Sequence, residues 1–294
     1  MTLTPTVSAI IPAYNSAGCV ARAIESALCQ TYAPIEILVV DDGSTDDTAQ
    51  IVREYPEPVR LIRQENGGPA AARNRGAREA GGEWLALLDA DDAWLPERLE
   101  KQLPYTEDPS IGVVQCYDTA GSCMKAPPHI TFDALWQRNC VGNSTALVRH
   151  AAFDQVCGFD EDRSLICVED YNLWLRLVAA GWEIAVHPEC LVLYTPATGN
   201  LSSQLERFGR AELANVERIG RQFGLAPNMI EAKRIALYVE YGIELLHHRD
   251  LRAARRFLGP ALRQQPSLKR LAAWSATFVP VSLLDWRRQT AQPS

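Results

Sequence analysis

The segments VSAIIPAYN at residues 7–15 and ILVVDDGSTDD at residues 37–47 determine the fold class of this chain. Apolar runs at 7–11 and 35–40 are typical of strands that are buried on both faces. Between these runs, apolar side chains recur at helical spacing and predict a helix over residues 17–30. Strand, helix and strand together make a βαβ unit, which is the building block of a parallel sheet.

The same alternation continues through the first two hundred residues. It predicts further helices at 46–54, 69–80 and 169–180, and further strands at 59–63, 84–88, 112–116, 146–149 and 183–186. This order indicates an α/β fold with a mainly parallel sheet and helices on both faces. The segment 121–139, which contains Pro127-Pro128, is predicted to be an irregular loop.

Strand patterns stop after residue 202, so we predict two domains, at 1–202 and 203–294. The second is a small all-helical C-terminal region, with helices predicted at 203–223, 228–247 and 251–264. An apolar run at 271–286 is interrupted by Pro280 and is too short to predict a membrane span. It could instead lie on a membrane surface, with Trp274, Phe278 and Trp286 as anchors.

Charge divides the chain in the same way. Residues 1–202 carry 14 basic and 28 acidic side chains, whereas residues 203–294 carry 15 basic and 8 acidic ones. An acidic first domain argues against nucleic-acid binding. The basic tail leaves its role open between a solvated helical surface, a peripheral contact with anionic lipid on the inner face of the membrane, and a contact with a partner.

The cysteines and the first residues of the chain bear on its location. Eight cysteines are scattered without a C-x-x-C pair, which argues against a zinc site or a disulfide framework. No basic segment followed by an apolar run is present before residue 7. We therefore expect a cytoplasmic protein with reduced thiols.

Three predicted strands end in polar residues that suit a nucleotide. These ends are Ala13-Tyr14-Asn15, Asp41-Asp42 and Asp89-Ala90-Asp91-Asp92. In an open parallel sheet, ligands bind beyond the carboxyl ends of the strands, so we expect these residues to line one cleft. The alternative interpretation of residues 41–47 is a turn followed by a helix cap.

Two further acidic groups carry possible chemistry. Asp89 and Asp91 close an apolar strand, and carboxylate oxygens suit Mg²⁺ or Mn²⁺, which take their remaining ligands from substrate phosphates. The alternative is a helix N-cap at Asp92 beside two solvated carboxylates. Glu169 and Asp170 begin an amphipathic helix, where a charged carboxylate is stabilised and could act as a general base or merely complement the helix dipole.

With these motifs in order and in register, residues 7 to about 180 resemble the family 2 inverting glycosyltransferases. The matching segments are VSAIIPAYN at 7–15, ILVVDDGSTD at 37–46, NGGPAAARNRG at 66–76, LLDADD at 87–92 and EDYNLW at 169–174. The resemblance implies a Rossmann-like nucleotide-diphospho-sugar transferase fold of the GT-A type, with residues 1–202 as the catalytic domain. It also implies a Mn²⁺ or Mg²⁺ cofactor and a one-step displacement with inversion.

The resemblance further implies a role for each matching residue at the donor. Tyr14 and either Asp42 or Asp41 would hold the base, within a nucleotide-binding set that also includes Pro12 and Asn15. Arg73 and Asp89 would also bind the nucleotide. Arg73 would lie near it, and Asp89 would contact the ribose or sugar.

For the metal and the acceptor, the resemblance implies a second set of roles. Asp91 would ligate the metal together with Asp89, and Asp170 would be the general base with Glu169 beside it. The expected partners are a nucleoside diphosphate sugar, UDP-linked, and an acceptor hydroxyl on a glycan or lipid-linked glycan.

One segment departs from the family pattern. Tyr194 is followed by Thr195-Pro196-Ala197, where family members often carry Tyr-Arg. This departure keeps one alternative open, a degenerate transferase that only binds a nucleotide or a partner. A glycosidase is the weaker alternative, because the strand-end nucleotide residues and the Asp89-x-Asp91 pair would then have no purpose.

Overall fold

The computed structural model describes residues 6–33, 36–121, 129–195 and 204–283. The chain divides into two compact units, Met1–Thr198 and Gly199–Ser294. The first unit is an α/β domain, and the described residues of the second unit form helices alone. The predicted fold class is therefore confirmed.

Among the described residues, nine strands form one mixed sheet. They are β1 (Val7–Ala13), β2 (Glu36–Asp41), β3 (Val59–Arg63), β4 (Trp84–Leu87), β5 (Ala93–Trp94), β6 (Ile111–Asp118), β7 (His129–Ile130), β8 (Ala146–Arg149) and β9 (Glu183–Leu193). Their order is β3-β2-β1-β4-β8-β6-β9-β5, and β7 also pairs with β9. Strands β3, β2, β1 and β4 run parallel, as β6 and β9 do, whereas β8, β5 and β7 pair antiparallel with their neighbours.

Helices cover both faces of the sheet. Those of the first unit are α1 (Val20–Leu28), α2 (Thr48–Arg53), α3 (Pro69–Glu79), α4 (Arg98–Gln102), α5 (Phe132–Gln137), α6 (His150–Gln155) and α7 (Glu169–Ala179). Ile37 and Val39 of β2 pack in one core cluster with the buried side of α1. Leu38 and Val40 pack in another with Ala72 of α3, because alternate side chains of a strand point to opposite faces.

Helix α3 lies unusually close to the sheet at Gly76. A Cβ atom at this position would lie 2.6 Å from Cγ2 of Ile10 and 3.3 Å from Cγ2 of Val40. Glycine removes that clash and lets the helix backbone pack against β1 and β2. The close packing fixes the start of α3 beside the carboxyl end of β2.

One sequence prediction was wrong within residues 121–139, which we expected to be an irregular loop. The described part of this segment contains strand β7 and helix α5, while Pro127-Pro128 lies outside the described residues. The side-chain oxygen of Thr131 accepts a hydrogen bond from the Ala134 N–H and caps α5. Phe132 and Trp136, four residues apart, stack with ring centroids 6.1 Å apart. This local cap and aromatic pair outweigh the turn signal.

The described residues of the second unit include four complete helices. They are α8 (Leu205–Gln222), α9 (Pro227–His247), α10 (Leu251–Gln264) and α11 (Leu268–Ala276). The Asp250 side chain caps α10 by accepting from the Ala253 N–H, and Ser267 caps α11 in the same way. No helix among the described residues has the length and apolar character needed to cross a membrane.

Candidate active site

The three polar strand ends lie at one edge of the sheet. Strands β2, β1 and β4 are adjacent and parallel, so their carboxyl ends meet at the same edge. Residues 13–15, 41–42 and 89–92 follow these ends directly. The parallel pairing therefore brings the sequence-predicted nucleotide residues together, and α3 and α7 contribute the other charged residues of the site.

Asp42 is held by donors from the loop before α3. Its Oδ1 accepts from the Gln64 amide at 2.7 Å and from the Gly67 N–H at 2.9 Å, and its Oδ2 accepts from the Gly68 N–H at 2.8 Å. Gly68 has a φ of +94°, which a residue with a side chain rarely adopts. A carboxylate offers about four acceptor positions, so Asp42 retains capacity for one further donor beyond these three.

Asp41 is turned towards the interior of the same loop. Its Oδ1 accepts from the Ser44 N–H at 2.9 Å, and its Oδ2 forms an ion pair of 2.8 Å with the Arg63 guanidinium. The side chain is fully buried. Both of its oxygens are therefore engaged by the turn and by β3, so Asp42 is the better placed of the two aspartates for an external ligand.

Tyr14, Asn15 and Pro12 surround the end of β1. Tyr14 is 52% exposed, so its ring offers an open aromatic face. Asn15 has a φ of +49°, a left-handed conformation that asparagine tolerates, and its Oδ1 accepts from the Thr45 N–H at 2.9 Å. Pro12 is paired with Val40 inside the sheet. Asn15 and Pro12 thus shape the edge, and Tyr14 presents the exposed surface.

Arg73 joins the end of β4 to the start of α7. One guanidinium nitrogen lies 2.7 Å from Asp89 Oδ1, and the other lies 2.8 Å from Glu169 Oε1. Arg73 is 5% exposed. Burial lowers its pKa, but the charges of Asp89 and Glu169 raise it by more, so the side chain stays a cation. A single buried charge therefore holds two carboxylates that are distant in sequence.

Asp92 connects the same edge to two loops. The Ser144 hydroxyl donates to its Oδ2 at 2.6 Å, and the Thr195 N–H donates to its Oδ1 at 3.1 Å. Burial and the charge of Asp89 raise the pKa of Asp92 to about 7. The side chain does not cap a helix, as the alternative interpretation supposed, because α4 begins at Arg98.

Arg22 is a residue that the sequence patterns do not identify. From the exposed side of α1, its guanidinium donates to the backbone oxygen of Asp91 and, at 2.8 Å, to the Thr195 hydroxyl. Thr195 begins the segment in which the expected basic residue is missing, and the rest of that segment lies outside the described residues. A basic side chain from α1 therefore reaches this point of the site.

Glu169 and Asp170 have different surroundings although they are adjacent. Glu169 is buried, and its Oε2 accepts from the Cys167 N–H at 2.9 Å in addition to its pairing with Arg73. Asp170 is half-buried; its Oδ1 accepts from the Tyr171 N–H at 2.6 Å, and the Asn139 amide lies 3.5 Å from its Oδ2. Burial and the charge of Glu169 raise the pKa of Asp170 to about 7. A carboxylate whose pKa is raised to this range can take up a proton near neutral pH.

Carboxylates at the end of β4 fit a divalent cation. Asp89 keeps 32% of its side chain exposed while Arg73 holds its Oδ1, and Asp91 lies two residues further along. The described residues contain no group of three or more histidine, cysteine or acidic side chains that could enclose a metal. A magnesium ion can bind through one or two carboxylates and complete its coordination with water and phosphate oxygens.

Comparisons with known proteins identify a sequence family and a fold for this chain. The sequence model described as glycosyl transferase family 2 matches residues 8–154. The chain is 34% identical to the succinoglycan biosynthesis protein ExoO of Rhizobium meliloti over 223 residues. That match covers 68% of this chain and 64% of the relative, so it spans less than two thirds of the relative's length.

Two further similarities concern a bacterial enzyme and a solved structure. The chain is 31% identical to the Escherichia coli UDP-Glc:alpha-D-GlcNAc-diphosphoundecaprenol beta-1,3-glucosyltransferase WfaP, over 60% of this chain and 71% of that protein. The mannosyltransferase PcManGT from Pyrobaculum calidifontis, solved with GDP-Man and Mn²⁺, superposes with a TM-score of 0.65. It is 21% identical, and the match covers 93% of this chain and 79% of that one, which establishes a shared fold.

Proposed function

Because the chain belongs to glycosyl transferase family 2, we propose that it moves a sugar from a UDP-linked donor to an acceptor hydroxyl on a glycan or lipid-linked glycan. The acceptor class is supported by WfaP, whose name states a diphosphoundecaprenol-linked sugar. We further propose a single displacement with inversion at the anomeric carbon, in the catalytic domain 1–202.

The observation that carries the proposal is the pairing of Arg73 with both Asp89 and Glu169. It ties the end of β4, where the diphosphate would lie, to the start of α7, where the base would lie. Catalysis of a transfer reaction requires donor and acceptor groups to be held in a fixed relation. Arg73 supplies that relation as a positioning residue.

At the donor, each residue has a role that its environment supports. The exposed ring of Tyr14 would stack on the base, and Asp42 would accept a hydrogen bond from the uracil N3–H with its remaining capacity. Asp89 and Asp91 would hold Mn²⁺ or Mg²⁺, which when bound neutralises the charge that develops on the leaving diphosphate. Arg22 lies close enough to Asp91 to orient the segment that carries this carboxylate.

At the acceptor, we assign the general base to Asp170 and not to Glu169. Both oxygens of Glu169 are engaged, by the Arg73 guanidinium and by the Cys167 N–H, whereas the Asp170 Oδ1 accepts from the Tyr171 N–H and its Oδ2 lies 3.5 Å from the Asn139 amide. The raised pKa of Asp170 means that it binds a proton more readily than an ordinary aspartate. It would accept the hydroxyl proton as the oxygen attacks the anomeric carbon.

We place the reaction in the cytoplasm. The seven described cysteines form no disulfide bond with one another. Reduced thiols are the usual state of cysteine in a reducing compartment.

The function can be tested by incubating the purified full chain with a panel of nucleotide sugars and a polyprenyl-diphosphate-linked sugar acceptor. We expect UDP release and a product one sugar heavier, both lost on addition of a chelator and restored by Mn²⁺ or Mg²⁺. The anomeric configuration of the product, read by NMR, tests inversion. Tight UDP binding without turnover on any donor would instead identify a nucleotide-binding module.

A further inference from the structure

Exposed large apolar side chains are concentrated at one end of the second unit. Of the eight such side chains among the described residues, five lie between residues 268 and 283. They are Leu268, Leu271, Phe278, Val281 and Leu283, and Leu268 is 85% exposed. Single exposed apolar residues are ordinary, but a contiguous group of them usually marks a surface that meets a partner.

Helix α11 exposes its leucines to solvent, whereas a helix packed on a core buries such side chains. None of its residues is fully buried. Leu268 and Leu271, three residues apart, lie on one face and are both exposed, whereas Arg270 and Trp274 are half-buried. The Trp274 ring packs edge-on against Phe278 at 4.8 Å, so the apolar surface continues beyond the helix end.

The same end of the unit carries all of the excess positive charge in the described part of the tail. Residues 251–283 contain six basic side chains and no acidic one. They are Arg252, Arg255, Arg256, Arg263, Lys269 and Arg270. In contrast, residues 204–250 contain seven basic and seven acidic side chains, so their charges cancel.

Some of these cations stabilise the unit, and others remain available to a partner. Arg255 lies over the Phe278 ring at 3.7 Å, and Arg256 pairs with Glu206 at 2.9 Å. Arg263 and Lys269 are exposed on either side of the turn between α10 and α11. Exposed cations are thus adjacent to exposed leucines, which is the composition of a helix that lies in a membrane interface.

We propose that the apolar–basic surface formed by Arg263 at the end of α10, by α11 and by residues 277–283 docks this protein on an anionic lipid bilayer. Helix α11 has nine residues and is about 14 Å long, well short of the roughly 30 Å hydrocarbon core. It would therefore lie along the surface with its leucines among the acyl chains and its cations at the lipid phosphates. A protein partner would need a matching acidic and apolar patch, whereas an anionic bilayer supplies both properties along its whole surface.

Flotation of the full chain with vesicles tests this docking. We expect binding to phosphatidylcholine mixed with phosphatidylglycerol, much weaker binding to phosphatidylcholine alone, and release at high salt. Replacing Arg263 and Lys269 together by serine should weaken partitioning about twenty-five-fold, since each cation near the surface contributes about fivefold. Replacing Leu268 and Leu271 together by serine should weaken it about tenfold or more.

Matched variants serve as controls. Arg221→Ser removes an exposed cation of α8, and Leu28→Ser replaces a leucine that is 39% exposed on α1. Both should bind vesicles as the parent does. The proposal is overturned if the parent does not bind anionic vesicles, or if both surface variants bind as well as the controls. It is also overturned if the leucine variant converts a dimer into a monomer while vesicle binding is absent.

The vesicle assay contains neither donor nor acceptor, so its outcome is independent of the proposed transfer reaction. A chain that floats with anionic vesicles and does not transfer sugar would keep the docking proposal and remove the function. The reverse result, transfer to a soluble acceptor without vesicle binding, would keep the function and remove the docking proposal.

Discussion

Two acidic regions at the same sheet edge differ in how their carboxylates are stabilised. After β2, Asp42 accepts three hydrogen bonds from protein donors and Asp41 is paired with Arg63. Around β4 and α7, the carboxylates of Asp92 and Asp170 are close to other acids, and burial raises the pKa of each to about 7. Both regions look alike in sequence, as paired acidic residues next to a regular element.

The difference shows that burial, neighbouring charges and hydrogen-bond donors together decide what an acidic residue can do. A carboxylate surrounded by N–H groups is stabilised as an anion and can hold a ligand in place. A carboxylate that is buried close to other acidic side chains is stabilised by taking up a proton. A general base needs such a raised proton affinity. The comparison predicts that equivalent substitutions in the two regions will have different consequences for stability.

Asp170→Asn should have the largest effect on catalysis. Loss of a general base costs about 10²- to 10⁴-fold in rate, because the acceptor hydroxyl keeps its proton. Stability at pH 8 should be equal to that of the parent or higher, since the variant removes a carboxylate that the fold does not favour as an anion. Turnover numbers and urea unfolding measure the two quantities. A variant with parental turnover would remove Asp170 as the base.

Arg73→Ala should have the largest effect on stability. Removing the cation leaves Glu169 buried without its partner, and breaking a buried ion pair costs about 3–5 kcal/mol. Arg73→Lys should also fail to restore transfer, because an ammonium cannot hold two carboxylates in the fixed geometry of a guanidinium. Arg75→Ala is the control, since Arg75 pairs with Glu79 on the helix surface and should cost under about 0.5 kcal/mol. Equal unfolding free energies for the two alanine variants would contradict the stabilising role of the ion pairs that Arg73 forms.

Asp42→Asn should affect stability and donor binding together, but less than Arg73→Ala. The new amide cannot accept all three hydrogen bonds, and an unsatisfied buried donor costs about 1–3 kcal/mol. Weaker UDP binding by calorimetry should accompany the loss. Asp47→Asn, at an exposed position that caps no backbone N–H with its side chain, is the control and should change neither quantity. Parental stability in the Asp42 variant would show that the loop does not depend on this carboxylate.

The remaining expected effect is a change in how stability depends on pH. The folded pKa of Asp170 is raised above its usual value of 3.8 to about 7, so between these values the folded state holds a proton that the unfolded state has lost. The stabilisation of the folded state by this proton is complete below about pH 4 and is lost as the pH rises through 7. Unfolding free energies measured from pH 4 to pH 8 should therefore decrease less steeply in Asp170→Asn than in the parent. Parallel curves would show that Asp170 titrates normally.

The order of the elements and the position of the cleft followed from local patterns. The apolar runs of β1 and β2 and the helical spacing of α1 depend on neighbouring residues only, so they could be predicted without any tertiary contact. Parallel pairing then brings Tyr14, Asp42 and Asp89 to one edge, because parallel strands share an orientation. Helix α5 was not predicted from the sequence. The nearby pair of prolines favoured a loop more strongly than the cap and the aromatic pair favoured a helix.

The separate roles of neighbouring acids could not be derived in this way. Sequence distance does not show that Arg73 reaches Glu169, or that Arg22 reaches Asp91, since both contacts arise when distant elements pack together. Nor does it show that Asp170 has fewer donors than Asp42, because donors and burial belong to the folded environment. Residue type and spacing thus specified which side chains meet at the cleft, while packing specified how each carboxylate is charged there, since a pKa depends on everything that surrounds the group.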